Sequence, residues 1–352
     1  MAPDATAALY PGAYDVLSKI TEDGVCTCYR GRDRSTGAHV FIKVLGRTGT
    51  ENPTLLAWFE RACRVRSLLD HPNVVKVIDF SAAPPYPFLI TEYLDGVSIG
   101  RHIERNGAYP EREAVRLIEP VCRGLQHVHE RGLVHRDVKP DNVFINRDGT
   151  VKLTGFDLAR AADVDSTLTP AGRGLGTPHY MAPEQFRGAS SVDARGDIYA
   201  LGSTLYVMVT GVVPFANASP LDCWMRKIRN EFPSPKELNP ALSDRVDRAI
   251  RRAMSAEPGQ RPDSCREFLE DLTGQSRTAD ATGVAPSADV WYLVYRDESG
   301  RPRTVKGSTE GVRKALRDRL LGDPSAVVVS RARSGPFVPL HSAPEFRGPP
   351  GA

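Results

Sequence analysis

This sequence of 352 residues has no regular cysteine pattern and no excess of charge of one sign. Its six cysteines are scattered, and the Cys26-Thr27-Cys28 segment has no second pair at the spacing of a zinc site. The pattern therefore indicates neither a disulfide framework nor a structural metal. The 46 basic residues nearly balance the 43 acidic ones, so the composition gives no argument for nucleic-acid binding.

The sequence also lacks a long uninterrupted apolar run and a recognisable export signal. The longest apolar stretch, residues 198–215, is interrupted by Gly202, Gly211 and Pro214. A membrane helix needs about 20 mostly apolar residues, so a buried helix is predicted there instead. Because no basic segment followed by an apolar one opens the chain, we expect no signal peptide and a cytoplasmic protein without a membrane span.

The composition divides the chain into one large and one small folded region. Residues 273–289 are small and polar with glycine and proline, which is typical of a linker. Residues 1–13 are expected to be a flexible N-terminus, and residues 347–352 a tail. Between these segments lie residues 14–272 and residues 290–346, which we interpret as two domains.

Hydrophobic spacing predicts the secondary structure of the large region. Residues 14–45 alternate short apolar runs with turn signals, which indicates strands joined by hairpins. Helical spacing of apolar residues follows at 54–69 and at 111–130. Further strands are predicted at 74–80 and 88–93, and the remainder is expected to be rich in helix.

Four motifs follow one another in the large region. They are His-Arg-Asp-Val-Lys-Pro-Asp-Asn at 135–142, Gly-Thr-Pro-His-Tyr-Met-Ala-Pro-Glu at 176–184, Asp-Ala-Arg-Gly-Asp-Ile-Tyr-Ala-Leu-Gly at 193–202 and Gln-Arg-Pro at 260–262. In this order they resemble the bacterial eukaryotic-like Ser/Thr protein kinase family. The resemblance covers about residues 14–272 and implies a bilobal α+β fold. Its β-rich N-lobe would span 14–93 and its α-rich C-lobe 94–272, followed by a small C-terminal α/β domain.

The resemblance assigns roles to the residues of the first motif. Asp137 would accept or orient the proton of the substrate hydroxyl, Lys139 would contact the transferring phosphate, and Asn142 would hold a metal. Lysine at position 139 favours the Ser/Thr class over the Tyr class. Arg136 would meet an activation-loop phosphate, and His135 would be partly structural.

The later motifs imply structural and regulatory roles. Asp197 would brace the catalytic loop from the start of a buried helix. Glu184 would pair with Arg261, and Thr177 lies in the activation segment as a candidate regulatory residue. These residues belong to the skeleton of the larger lobe and show no departure from the family pattern.

The glycine-rich loop of the family is altered. Its Gly-x-Gly-x-x-Gly pattern lets backbone amides approach the phosphates of ATP. Residues 21–26 read Thr-Glu-Asp-Gly-Val-Cys, so all three glycine positions differ and only the intervening Gly24 remains. Glu22 and Asp23 would also repel phosphate. An ordinary strand–turn–strand hairpin fits this segment better than a phosphate clamp.

The walls of the adenine site are altered as well. By resemblance, the ATP-binding residues would be Lys43, Phe41, Cys28, Thr91, Glu92 and Phe144. Phenylalanine replaces the usual alanine at 41 and the usual leucine at 144, and an aromatic ring needs far more room than either. Two interpretations remain open: the two rings fill the adenine slot, or they move apart and stack on the base.

The ion pair of the family is predicted to be missing. Its strand lysine, here Lys43, normally pairs with a glutamate nine residues before His71, and Ala62 stands at that position. The nearest acid, Glu60, is about 200° away around the helix and should not face the lysine.

The metal-binding position is inverted. Gly155-Phe156-Asp157 stands where the family has Asp-Phe-Gly, so Gly155 occupies the place of the magnesium ligand. Residues i and i+2 of an extended segment share a face, so Asp157 could replace that ligand if the backbone slides. Otherwise Asn142 is the remaining ligand, and one neutral amide should hold Mg²⁺ weakly.

Residues 290–346 are predicted to fold as β-β-α-β and weakly resemble the short bacterial relatives of the GYF domain. Trp291, Tyr292 and the Gly-Pro-Phe-Val-Pro-Leu segment at 335–340 carry the resemblance. It implies an aromatic surface for proline-rich peptides. The aromatic residues could instead form the core of a small domain, and a modest basic bias suggests an acidic peptide as another partner.

These observations leave three possible functions. The first is a kinase-fold protein with lost or impaired nucleotide chemistry that acts as a scaffold or allosteric partner of another protein. The second is an active, atypical Ser/Thr kinase that uses ATP and Mg²⁺ on a protein substrate. The third is an interaction protein that acts through its C-terminal domain.

Overall fold

The computed structural model describes most of the chain. The described residues are 13–23, 25–156, 160–161, 178–186, 192–216, 218–275, 291–296, 302–307, 309, 312–313, 316, 327–330 and 337–346. The chain forms two compact units, Met1–Ser276 and Arg277–Ala352.

A five-stranded antiparallel sheet opens the first unit. Its strands are β1 (Tyr14–Glu22), β2 (Cys26–Asp33), β3 (His39–Leu45), β4 (Val77–Ser81) and β5 (Phe88–Glu92), in the order β1-β2-β3-β5-β4. Helices α1 (Arg47–Thr50) and α2 (Pro53–Ser67) lie between β3 and β4 in the chain. These elements confirm the predicted hairpin strands and the predicted helix near residues 54–69.

Strand β3 positions part of the site because its side chains alternate between the two faces of the sheet. Val40, Ile42 and Val44 are buried in one apolar cluster on the first face. Phe41 and Lys43 consequently share the opposite face. Their position is therefore set by the apolar residues that precede and follow them.

Helix α2 is held at its start by a capping residue and along its length by an apolar face. The Asn52 side chain accepts hydrogen bonds from two backbone amides of the first turn, and Pro53 occupies that turn. The buried residues of the helix follow the spacing i, i+3, i+4, i+7 and are Phe59, Ala62, Cys63 and Arg66.

The second half of this unit is mostly helical. Its elements are β6 (Gly96–Ser98), α3 (Ile99–Asn106), α4 (Glu111–Glu130), β7 (Leu133–Val134), β8 (Val143–Asn146), β9 (Val151–Leu153), β10 (Arg160–Ala161), α5 (Ala194–Thr210), α6 (Pro220–Ile228), α7 (Pro235–Leu238), α8 (Asp244–Ala253) and α9 (Cys265–Thr273). Strands β6, β8 and β9 form a three-stranded sheet in that order, and β7 pairs with β10.

Helix α5 is the centre of this half and is buried from Gly196 to Val209. Gly202 lets α8 approach closely, because a β-carbon there would lie 2.7 Å from the β-carbon of Ala253. The predicted buried helix is thus confirmed. Within the described ranges, no helix combines the length and apolarity needed to cross a bilayer.

The second unit contains a four-stranded sheet. Its strands β11 (Trp291–Arg296), β12 (Pro302–Gly307), β13 (Val328–Ser330) and β14 (Val338–Pro339) are arranged as β12-β11-β13-β14. Trp291 is buried, donates a 2.9 Å hydrogen bond to Thr309 and packs edge-on against Phe346. For Trp291, the interpretation as a core residue is therefore the better one. Tyr292 and Phe337 are half-buried.

Candidate functional site

The catalytic-loop motif lies between the short strands β7 and β8. Lys139 Nζ lies 3.0 Å from Asp137 Oδ2. The Asn142 amide donates hydrogen bonds of 2.8 Å to Asp137 Oδ2 and 2.7 Å to the Asp137 carbonyl oxygen. The structure thus brings together the three residues to which the sequence assigns catalysis.

Asp197 fixes the backbone of this loop. It is fully buried in the first turn of α5, and its carboxylate accepts 2.7 Å hydrogen bonds from the amides of His135 and Arg136. It also lies 2.8 Å from His129 Nε2. Burial favours the neutral acid, but these hydrogen bonds hold the pKa of Asp197 below its ordinary value. The loop therefore keeps its shape without help from a ligand.

Glu184 and Arg261 form a buried bidentate ion pair. The guanidinium donates at 2.6 and 2.8 Å to the two carboxylate oxygens, and Arg261 is 1% exposed. Its remaining hydrogens reach the backbone carbonyl oxygens of Ser255, Arg195 and Ala256. One arginine therefore joins the segment around Glu184 to α5 and to the loop before α9.

Lys227 of α6 holds the other end of that segment, and sequence reasoning missed it. Its ammonium donates to the carbonyl oxygens of His179 at 2.9 Å and Met181 at 2.6 Å. It also lies 4.9 Å from the ring centres of Tyr199 and Phe215. Lys227 is 1% exposed, although Arg226 and Arg229 beside it in the sequence are basic. No local pattern distinguishes this lysine from surface lysines.

Because Lys227 is buried, the stability of the folded protein should depend on pH. Desolvation lowers the pKa of Lys227 to about 7, from 10.5 for an exposed lysine. Between these two values the unfolded chain carries a proton that the folded chain lacks, so stability rises with pH in that window. We expect the wild-type protein to gain at least about 1 kcal/mol relative to Lys227→Met between pH 7 and 9.5, because one pKa unit corresponds to about 1.4 kcal/mol.

Urea unfolding at several pH values measures this gain. Lys236→Met is the matched control, since Lys236 is a half-exposed lysine whose partner, Asp244, is also exposed. Its stability should run parallel to that of the wild-type protein through the same range. A wild-type curve parallel to that of Lys227→Met would show that the Lys227 pKa is not lowered.

A cavity of about 280 Å³ lies between the five-stranded sheet and the catalytic loop. Five residues of the predicted nucleotide site line it: Cys28, Phe41, Lys43, Thr91 and Asn142. The other lining residues are Thr21, Asp23, Arg66, Leu69, Val75, Val77, Leu89, Thr154, Gly155 and Phe156. The cavity is slightly below the range of about 300–1,000 Å³ that is usual for ligand sites.

Two residues of the predicted nucleotide site do not line this cavity. The Glu92 carboxylate accepts hydrogen bonds of 2.7 Å from the Lys76 amide and from Lys152 Nζ. Phe144 is half-buried on β8. Phe41 lines the cavity, whereas the filling of an adenine slot by Phe41 and Phe144 stays a prediction.

In the turn between β1 and β2, an aspartate side chain accepts hydrogen bonds from the backbone amides of the turn. Asp23 Oδ1 accepts hydrogen bonds from the amides of Val25 at 3.0 Å and Cys26 at 2.7 Å. The Asp23 amide donates in turn to the Cys26 carbonyl oxygen at 3.1 Å. Two of the amides that a glycine-rich loop would offer to phosphate are thus engaged by a carboxylate of the chain. The structure here is a hairpin, and Gly24 lies outside the described residues.

Helix α2 presents an arginine instead of a glutamate to the cavity. Ala62 is buried and carries no charge, while Glu60 pairs with Arg64 at 2.6 Å on the exposed side of the helix. Arg66, four residues after Ala62, is 8% exposed and lines the cavity with Lys43. Sequence reasoning missed Arg66, although the spacing from Phe59 and Ala62 places it on the buried face.

A side chain at Gly155 would require the Asn142 side chain to move. The Gly155 backbone has φ +82°, and a β-carbon there would lie 2.3 Å from Cγ and Nδ2 of Asn142. Asp157 and Thr177, which the sequence marks as a replacement metal ligand and a regulatory residue, lie outside the described residues. Within the part of the chain that is described, no group of three or more His, Cys, Asp or Glu could hold a metal ion.

Comparisons with known proteins agree with this architecture. Residues 14–276 match the family described as "Protein kinase domain". Serine/threonine-protein kinase PrkC of Bacillus subtilis is 32% identical over 268 residues, or 76% of this chain and 40% of the relative. Serine/threonine-protein kinase Pkn1 of Myxococcus xanthus is 35% identical over 275 residues, or 77% and 39%. Serine/threonine-protein kinase PknB of Mycobacterium leprae is 30% identical over 313 residues, or 87% and 50%.

The chain spans about two fifths to one half of the length of these relatives. The family match covers most of the chain, and the matched residues form the strand-rich and helix-rich parts described above. This chain belongs to the bacterial eukaryotic-like Ser/Thr protein kinase family.

Proposed function

We propose that the kinase domain of this chain binds a partner protein as a scaffold or allosteric module and does not transfer phosphate. One observation carries the proposal: the Asn142 amide fills the side-chain space at Gly155, where the family has its metal-binding aspartate. The metal-binding carboxylate is therefore absent, and the Asn142 side chain occupies the space that it would need.

Magnesium does not fit the described residues. Mg²⁺ requires a near-octahedral set of oxygen ligands, usually with one or two carboxylates. Asn142 offers one amide oxygen, and its amide nitrogen is already bonded to Asp137. The described part of the site therefore lacks the charge neutralisation on which phosphoryl transfer depends.

The nucleotide contacts are reduced in two further places. Phe41 narrows a cavity of about 280 Å³, and the Asp23 carboxylate occupies the amides of the β1–β2 turn. An ATP molecule would have to displace the aromatic ring and meet the negative charge of Asp23. Both changes favour a domain that keeps its shape without Mg²⁺·ATP.

The segment at residues 178–184 of the larger lobe retains its anchoring contacts. Lys227 fixes the carbonyl oxygens of His179 and Met181, and Arg261 fixes Glu184. In active members of the family this segment faces a peptide substrate. Its preserved anchoring supports a protein as the partner.

Binding and transfer assays on the full chain test the proposal. We expect no Mg²⁺·ATP binding at millimolar concentration by calorimetry for the wild-type protein, and a gain of binding in Phe41→Ala, which removes the ring from the cavity. We also expect no transfer of labelled phosphate to protein substrates. Wild-type binding in the millimolar range or tighter would contradict the narrowed cavity.

The alternative is an active, atypical Ser/Thr kinase. The arrangement of Lys139, Asp137 and Asn142 favours it, because the 3.0 Å and 2.8 Å contacts keep the catalytic groups together. In that case Asp157 would have to supply the metal ligand. Phosphate transfer that is present in the wild-type protein and absent from Asp137→Asn would establish this alternative.

The C-terminal unit provides a third candidate. Tyr292 and Phe337 are half-buried aromatic residues that could contribute to a surface for a proline-rich or acidic peptide. A chain that ends before residue 290 separates this role from that of the kinase domain. Partner binding that persists in the shortened chain would assign recognition to the kinase domain.

A further inference from the structure

We propose that a cavity along helix α8 binds an acidic peptide segment of a partner protein through its arginines. This cavity shares no lining residue with the one beneath the five-stranded sheet, so the inference goes beyond the proposed function and does not depend on phosphate transfer. Its volume is about 990 Å³. That is the upper end of the range of about 300–1,000 Å³ that is usual for ligand sites.

The arginines of α8 form a row on the side of the helix that faces away from the core. Arg245, Arg248 and Arg252 follow the spacing i, i+3, i+7, and Arg251 lies beside them. All four line the cavity, and all except Arg252 are exposed. The core side of the same helix is apolar and consists of Val246, Ala249, Ile250 and Ala253.

The stability of the helix does not account for two of these charges. Arg245 lies in the first turn of α8, where the helix dipole disfavours a cation. Arg248 is followed by arginines three and four residues later, and like charges at that spacing destabilise a helix. Among the described residues, the arginines of α8 with an ion-pair partner are Arg251 and Arg252. The guanidinium groups of Arg245 and Arg248 can therefore serve a ligand.

Most carboxylates of the cavity are already engaged by the fold. The lining contains four arginines and three acids, so its net charge is positive. Asp271 accepts a 2.6 Å hydrogen bond from Arg252, and Glu237 accepts one of 2.8 Å from the Ser234 amide in a capping box. Glu270 is the third acid. The charged groups that remain for a ligand are thus mainly donors, which favour carboxylates.

The other polar groups of the cavity favour a peptide over a nucleic acid. Asn230 Oδ1 accepts the Ala256 amide and Gln260 Oε1 accepts the Ser255 hydroxyl, both at 2.8 Å. The amide nitrogens of Asn230 and Gln260 can then donate to main-chain carbonyl oxygens of a peptide. The acidic lining residues repel a continuous row of phosphates, whereas an acidic peptide has neutral groups between its carboxylates.

The row of arginines sets the spacing of the recognised acids. From Arg245 to Arg252 the helix rises by about 10 Å, at about 1.5 Å per residue. Side chains at alternate positions of an extended peptide lie on one face and are about 7 Å apart. The row therefore matches two carboxylates separated by one residue. The planar guanidinium can bind each carboxylate through two hydrogen bonds.

Fluorescence anisotropy of the full chain with a labelled peptide that alternates glutamate and glycine tests the inference. We expect binding that weakens as salt is added, because exposed charges are screened. Arg245→Gln combined with Arg248→Gln should weaken binding by about tenfold or more and leave the urea midpoint of unfolding no lower. The matched control is Arg101→Gln combined with Arg105→Gln, which removes two exposed arginines at helical spacing from α3 and should bind as the wild type does.

Three results would overturn the inference. They are the absence of peptide binding at millimolar concentration, equal affinity of the Arg245→Gln, Arg248→Gln protein and the wild type, and tighter binding of a single-stranded oligonucleotide of the same charge. The second result would assign the acidic peptide to another surface of the chain. Phosphate transfer by the wild-type protein would contradict the proposed function and leave this inference to be judged by the peptide titrations.

Discussion

Gly155→Asp is expected to lower the free energy of unfolding by about 2–5 kcal/mol and to bring no Mg²⁺ binding. A left-handed backbone conformation costs a residue with a side chain about 1–2 kcal/mol, and Gly155 has φ +82°. The new side chain would also begin 2.3 Å from two atoms of Asn142, and overpacking adds about 1–3 kcal/mol. Urea unfolding and calorimetric titration with Mg²⁺ measure the two outcomes.

Gly149→Asp is the control that measures the free-energy cost of a left-handed backbone conformation without the cost of a steric clash. Gly149 has φ +84°, but a β-carbon there would meet no atom within 4 Å. This control should therefore lose only about 1–2 kcal/mol. Adding Asn142→Ala to Gly155→Asp should recover part of the lost stability by vacating the space. If Gly155→Asp were as mild as Gly149→Asp, Asn142 would not be what fills the position.

Arg261→Met is expected to lower the free energy of unfolding by about 3–5 kcal/mol, the usual cost of removing one partner from a buried ion pair. The substitution leaves the Glu184 carboxylate, 18% exposed, without its two guanidinium hydrogen bonds. It also leaves three backbone carbonyl oxygens without their donor. The change is measured by urea unfolding monitored by circular dichroism.

Arg251→Met is the control for this arginine. Arg251 is 58% exposed, and its Nη1 lies 3.7 Å from the largely buried Asp247 carboxylate, beyond hydrogen-bond distance, so its removal should cost only about 0–1 kcal/mol. A double variant, Glu184→Gln with Arg261→Met, should be less destabilised than the sum of the two single variants, because it leaves no buried charge. If Arg251→Met and Arg261→Met lowered the free energy of unfolding equally, the buried pair would not be what anchors the lobe.

The sequence predicts the parts of this molecule that depend on contiguous patterns. The alternation of Val40, Ile42 and Val44 predicts the strand that carries Lys43, and the motif at 135–142 predicts the catalytic loop. The altered glycine pattern at 21–26 also predicts a hairpin. In each case the residues that determine the structure are neighbours in the chain, so their spacing is informative.

The remaining features depend on contacts between distant residues. Lys227 donates to carbonyl oxygens 46 and 48 residues earlier, so no local spacing reveals it. Arg66 has helical spacing with the apolar face of α2, but an arginine there is normally taken for a surface residue. The filling of the Gly155 position likewise depends on the rotamer of Asn142, which only the folded loop defines.

The hydrogen bonds of Asp23 make the conformation of the β1–β2 turn independent of the ATP concentration. A loop of three glycines has a large conformational entropy, which must be lost each time a nucleotide orders it. The β1–β2 turn has already lost that entropy during folding, because Asp23 holds the amides of Val25 and Cys26. A partner would therefore meet the same hairpin whether ATP is abundant or scarce.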